Sequence, residues 1–299
     1  MRKLFFIFLS INLLSMYSCD DGDIITVELD FGETFSACEG VNDLVLYKTK
    51  KDPSESLSVL IPNYSLDELL ELNTDTPKSA TLYYRTYSET NLPNNLFCNE
   101  IPPNVNIISN NESSVTAIIN TTLVEDDNDG ILAILEDING NGNLEDDDTD
   151  GDGLPNYIDA DDDGDNILTR DENPDTNNDG NLSDAQDTDG DGTPDYLDDD
   201  DDGDMVKTRD EENASQDNNP ANDITNPDVG ADFLNPDIST TQPATGFRQH
   251  SISRTYTVNI SLNGVSFDFI SQEPLNFGNL NSSEIPTVLK SRTVTPPFN

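Results

Sequence analysis

The sequence predicts a mainly β protein: a β-sandwich-like domain with a loop-rich repeat arm inserted into it. Three observations carry this expectation. Short alternating apolar and polar runs, separated by Asn, Pro and Gly clusters, fill residues 24–124 and return at 250–280. Between them, residues 125–212 hold 35 of the 60 acidic residues against Arg170, Lys207 and Arg209, a local charge of −32 in a chain of −46. That middle stretch also repeats, with Asp150, Asp163 and Tyr157 matched by Asp189, Asp202 and Tyr196, each 39 residues on.

Residues 1–18 read as a targeting segment. Arg2 and Lys3 precede an apolar run from Leu4 to Leu14, too short to span a bilayer, and Met16-Tyr-Ser-Cys19 forms the exit. This exit resembles a bacterial lipoprotein signal, which implies that Cys19 carries a lipid and anchors the chain in a membrane. Ordinary secretion with Cys19 left as a thiol is the alternative. The following Asp20-Asp-Gly-Asp23 is similar to the acidic tag of surface-exposed lipoproteins of Bacteroidota type, although Asp after the cysteine can also favour retention at an inner membrane.

Residues 19–124 form the expected β domain. Ile25, Val27, Leu29 and Phe31 alternate, Leu44 to Tyr47 do so less cleanly, and Thr81–Tyr87 and Ser114–Ile119 follow. Leu66–Leu72 is the exception, a short helix capped by Ser65. With Cys19 lipidated, Cys38 and Cys98 remain as one disulfide pair in an oxidising compartment.

The arm carries the chemistry. In Asp148–Asp159 and Asp187–Asp198, oxygen-bearing side chains fall at positions 1, 3, 5, 9 and 12, with Gly at 6. Calcium loops use this schedule: alternate carboxylates turn inward, Gly makes the bend, residue 7 offers its carbonyl and a late carboxylate closes the shell. Seven loops share the register, and the expected calcium ligands are Glu125, Asp127, Asp129 and Glu136; Asp137, Asn139 and Asn141; Asp148, Asp150, Asp152 and Asp159; Asp161, Asp163, Asp165 and Glu172; Asp175, Asn177 and Asp179; Asp187, Asp189, Asp191 and Asp198; and Asp200, Asp202, Asp204 and Glu211. A disordered acidic tract would not keep Gly130, Gly142, Gly153, Gly180 and Gly192 in phase. At position 6, Asn166 tolerates the left-handed bend but Met205 is unsuited to it, so full occupancy of the Asp200 loop is not expected. Gln186 at position 12 weakens the Asp175 loop unless Asp187 substitutes.

The phrases DTDGDGLPNYIDADDDGD and DTDGDGTPDYLDDDDDGD resemble thrombospondin type 3 repeats and their bacterial relatives. The resemblance implies an extended acidic arm wrapped around many calcium ions, of the kind found in surface and matrix proteins. The disulfides that staple the animal repeats have no counterpart, because residues 125–212 contain no cysteine.

Residues 213–249, rich in Asn, Asp and Pro, read as a linker. In 250–280, Tyr256–Leu262 and Val265–Phe269 alternate about Asn263-Gly264, a hairpin signal. This hairpin is expected to complete the N-terminal domain, or else to pair with Leu275–Leu280 as a small unit. Residues 281–299 are expected to be a loose tail.

No enzyme is expected. His250, the single histidine, sits in the polar context Arg248-Gln-His-Ser and reads as a surface residue, and calcium-loop carboxylates are not free for acid catalysis. The acidic balance excludes nucleic acid as a partner. Two roles stand: a calcium-binding, lipid-anchored outer-membrane or cell-surface protein with a structural or adhesive role, or a surface module whose β domain captures an extracellular protein, peptide or glycan. Tyr83, Tyr84 and Tyr87 could line a glycan groove, though strand tyrosines more commonly pack in the core.

Overall fold

The computed structural model describes residues 29–267, 269–272 and 274–298. The expected signal segment, Cys19 with the acidic tag after it, and Ile25 and Val27 lie outside the described residues. The chain forms β1 (Thr34–Glu39), β2 (Asp43–Lys50), β3 (Glu55–Pro62), the short helix α1 (Leu66–Leu69), β4 (Asn73–Tyr87) and β5 (Ile107–Asp126). After the arm come β6 (His250–Asn263), β7 (Val265–Phe267), β8 (Ile270–Gln272), β9 (Leu275–Leu280) and β10 (Ser291–Val294).

The mainly β expectation holds, and the sheet closes on itself. Strands follow the order β10-β6-β5-β4-β3-β2-β1-β9, and β9 pairs back onto β6, so that seven strands make a barrel. Along one edge of β6, β10 pairs with His250–Ser253 and β9 with Asn259–Leu262. Closure is made by a two-residue parallel pairing of β9 with β1. Gly278 permits it: a Cβ there would lie 2.0 Å from the Glu33 carbonyl oxygen, and φ is +96°.

Strand alternation fills the interior. Phe35, Leu44, Leu46, Leu57, Val59, Ile61, Leu82, Ile119, Ile260, Leu262 and Phe277 are all but fully buried, and each large aliphatic or aromatic side chain buried contributes about 1.5–3 kcal/mol. Leu69 and Leu70 of α1 join this core. The helix starts as the sequence indicates: Ser65 Oγ accepts from Glu68 N–H and Glu68 returns the bond to the Ser65 backbone. Cys38 and Cys98 form the expected disulfide, Cα to Cα 5.2 Å, which ties the 88–106 loop to β1.

Three readings of the C-terminal part are corrected. Asn263-Gly264 does not turn a hairpin, because β6 pairs with β5 and β9 whereas β7 pairs with β8. Ser266 N–H donates to Ser113 Oγ, so β7 continues along β5 beyond a bend at Gly264, whose φ is +83°. The tail is not loose: β10 extends the sheet and Ile285 is buried in the core. Residues 213–249 are no simple linker. They form two 3-10 turns, Pro220–Asn222 and Asp232–Leu234, bury Phe233 and Asp223, and run back along the arm, where Gln242 N–H donates to the Asp210 carbonyl.

The arm leaves the barrel at Asp126 and re-enters at His250, between strands that are neighbours (Asp126 pairs with Ser253). Among the described residues it contains nine 3-10 turns, from Ala133–Leu135 to Asp232–Leu234. Nine turns exceed the seven expected loops because the register runs on past Glu212. Loops starting at Asn213 and Ile224 keep the backbone plan with degraded ligands, and the nine group into three triplets. A recurrent clasp shows the plan: the N–H of Thr149, Asp162, Thr188, Asp201 and Thr225 each donates to a side-chain oxygen seven residues on.

Candidate metal centres

Each loop is folded around its own carboxylates. At position 1, one oxygen of Asp137, Asp148, Asp161, Asp175, Asp187 and Asp200 accepts the N–H of residue 6. At position 3, Oδ1 of Asp127, Asp150, Asp163, Asp189 and Asp202 accepts the N–H two residues on. Position 5 does likewise, through Asp129, Asp152, Asp165, Asp179, Asp191 and Asp204. These bonds consume Oδ1 and aim Oδ2 inward. The Oδ2 atoms of Asp127, Asp129, Asp152, Asp163, Asp165, Asp202 and Asp204 are buried without a hydrogen-bond partner.

Among the described residues five groups of acids result, each with one oxygen per residue within 4.8 Å of the others: Asp163, Asp165, Glu172 and Asp201; Asp127, Asp129 and Glu136; Asp148, Asp150 and Asp152; Asp187, Asp189 and Asp191; and Asp200, Asp202 and Asp204. Burial grades them. The first group is wholly buried, whereas Asp187, Asp189 and Asp191 are exposed. Burial, followed by neighbouring carboxylates, pushes Asp163, Asp165 and Glu172 far above the usual carboxylate range. The same causes raise Asp127 to about 9, Glu136 to about 8 and Glu211 to about 9. Buried like charges at this spacing demand protons or a cation. The donor set of these groups is carboxylate oxygen only, and suits a hard divalent ion such as calcium over zinc or copper.

Not every expected ligand joins its group. Glu125 does not, because its carboxylate is engaged by two guanidiniums at the root of the arm: Arg292 donates through Nε at 2.9 Å and Nη2 at 3.0 Å, and Arg254 Nε lies at 3.0 Å. Asp159 stands by its loop, where Asp152, Asp161 and Asp150 act on it, and burial takes it to about 9. Asp161 is raised to about 7, chiefly by burial, and both its oxygens accept backbone N–H groups. Asp198 is raised by burial and then by Asp191 and Asp189. In the Asp137 loop, the Asn139 and Asn141 amides donate to Asp146, and Asn139 also to Asp147. Asp137, Asn139, Asn141, Asp175, Asn177 and Asp179 form no acid triad among the described residues, since Asn holds position 3 in both loops. Gln186 turns away from any ligand role, donating to Asp195 and Thr188.

Met205 takes the bend after all, at φ +78°, with its side chain 93% exposed, and the Asp200, Asp202, Asp204 group forms around it. Asn166, at φ +76°, is fixed by the returning chain: its amide donates to the Gly246 carbonyl and accepts from Arg248 N–H. His250 is not a surface residue. It is 6% exposed, with Nε2 3.2 Å from Asp159 Oδ1, because β6 starts beneath the third and fourth loops. Sequence reasoning missed Asp162 and Asp201, which sit at position 2, outside the ligand schedule, and are 1% and 2% exposed.

A family model described as BamM C-terminal matches residues 126–183, which is the first part of the arm and less than half of the chain. No curated protein and no solved structure matches the chain.

Proposed function

We propose that this protein is a calcium-binding, lipid-anchored surface protein of the bacterial outer membrane, non-enzymic, with a structural or adhesive role. In this reading a small barrel carries a calcium-stiffened arm of thrombospondin type 3-like repeats. One observation carries it: buried carboxylates, their Oδ1 atoms spent on the backbone, converge in groups with their second oxygens unpartnered. Ions bound only by the folded loops stabilise them by mass action, and extracellular sites of this kind bind at about 0.1–1 mM. Limited proteolysis with calcium and with chelator tests the reading. Chelation should open cuts within 127–249 and spare the barrel; equal resistance in both conditions rejects it. Mass spectrometry of the mature N-terminus tests the anchor, which an unmodified Cys19 would exclude.

A second reading, capture of a peptide or glycan by the β domain, is favoured by one cavity. About 550 Å3 in volume, it lies on the outer barrel wall under the disulfide-tied 88–106 loop, bordered by Val45, Leu60, Tyr83, Arg85, Phe97 and Pro103. Of the three tyrosines, Tyr83 and Tyr87 border it, whereas Tyr84 packs in the barrel core. Glycan and peptide arrays probed with the wild type and with Tyr83→Ala decide: binding lost in the variant supports capture, and no binding by the wild type removes it.

A further inference from the structure

The four-membered acidic group contains a residue that the loop schedule does not supply. Asp163, Asp165 and Glu172 hold positions 3, 5 and 12 of the loop starting at Asp161, but the fourth member, Asp201, comes from position 2 of the loop starting at Asp200. Both Asp201 carboxylate oxygens are buried and unpartnered, and the residue is 2% exposed. Its backbone is held independently, through N–H donation to Thr208 Oγ1, so the clasp aims the side chain without using it.

Asp162 is the equivalent residue one repeat earlier. It is 1% exposed, both its oxygens are unpartnered, and its N–H donates to Thr169 Oγ1 in the same clasp. The charges that bear on it most are Glu136, Asp129 and Asp127, the three acids of the loop one triplet before it. At Asp201 the position-2 carboxylate joins the group of the corresponding loop in the preceding triplet.

We propose that Asp201 is a cross-triplet ligand for a buried divalent cation held with Asp163, Asp165 and Glu172. This rests on the calcium-binding reading and specifies which site ties one triplet to the next. An ion held within a single loop orders about twelve residues. An ion shared across triplets fixes the step from one triplet to the next, so losing it loosens two distant segments together. The register gives the series an end: Ile238 stands where the third triplet would find its next position-2 acid, so Asp202, Asp204 and Glu211 receive no such ligand.

The test uses the full mature chain with calcium alone as probe. Retained ions per chain are counted after dialysis, affinities are measured by calorimetry, and hydrogen exchange is followed along the arm. Asp201→Asn keeps the side-chain volume and removes its charge, and Asp201→Ala removes the oxygens as well. Asp199→Asn, next but one to Asp201 and paired with Lys207, is the control for charge loss. The expected result is one fewer retained ion, or a tightest site weakened by at least about tenfold, for both Asp201 variants. Exchange should rise in 161–172 as well as 200–208 for the Asp201 variants. Asp199→Asn should match the wild type. Ion counts, affinities and exchange in the Asp201 variants equal to those of Asp199→Asn overturn the proposal while leaving calcium binding intact. A wild type that binds no calcium removes both.

Discussion

At the residue scale the arm shows how little freedom its bends allow. Met205 sits at φ +78° with its side chain in solvent, so it bears the steric cost of the left-handed region without packing in return. Met205→Gly should stabilise the calcium-loaded arm by about 1 kcal/mol, the left-handed penalty less the entropy glycine adds to the unfolded chain. A higher melting midpoint for the arm checks this, and a lower one contradicts it. Gly164 shows the opposite constraint. A Cβ there would lie 2.3 Å from Asp150 Oδ2, and at Gly203 the same atom would lie 2.6 Å from Asp189 Oδ2. Gly164→Ala should therefore displace Asp150 and weaken the Asp148, Asp150, Asp152 group, read as a lost or weakened site in calcium titration. Unchanged titration would show that Asp150 can move at no cost. The ligand alternation was legible because D-x-D-x-D-G encodes its own turn. Asp162 and Asp201 were not legible, because position 2 lies outside the ligand schedule and the partners of Asp201 stand 29–38 residues away, which leaves no local spacing to read.

At the element scale, local signals were legible and pairings were not. Ser65 and Glu68 announce α1, and the alternation around Leu44, Tyr83, Ile118 and Val258 names four strands that form. Asn263-Gly264 misled because the same dipeptide that turns a hairpin also bends a strand, and only the presence of β5 and β9 on the two edges of β6 decides. Residues 213–249 misled because their degraded loops keep a fold whose ligands have gone: Thr225 and Asp232 still clasp, but Ile224 stands at position 1. The disulfide supports a prediction at this scale. It spans 60 residues and pins the 88–106 loop over the outer cavity. Replacing Cys38 and Cys98 by Ser should cost the barrel up to about 4 kcal/mol on chain-entropy grounds and expose that loop to protease. Calcium titration of the arm should not change; a parallel loss of calcium binding would mean that barrel and arm fold as one unit.

At the scale of the whole molecule, two ways of ordering a chain are joined end to end. The barrel is ordered by apolar burial, with one contiguous core. The arm buries few large apolar side chains and concentrates negative charge instead. Charge segregation on this scale was plain in composition, whereas barrel closure was not, since it depends on a two-residue contact between β1 and β9. Without a cation the arm should expand by self-repulsion, and salt should reverse part of that, because at physiological ionic strength charges more than about 8 Å apart are largely screened. The hydrodynamic radius of the chelated protein should fall as sodium chloride is raised, while that of the calcium-loaded protein stays constant. A chelated radius indifferent to salt would show that protons already neutralise the buried acids.

Because Asp126 and Ser253 are paired neighbours, both ends of the arm are riveted to adjoining staves of the same barrel. A single cut anywhere along the arm would therefore sever the chain without releasing either piece. Each fragment would remain embedded in the barrel through its own strands, β1 to β5 on one side and β6 to β10 on the other. Under protease attack such a nicked molecule would stay in one piece, and the damage would show only when the barrel itself is denatured.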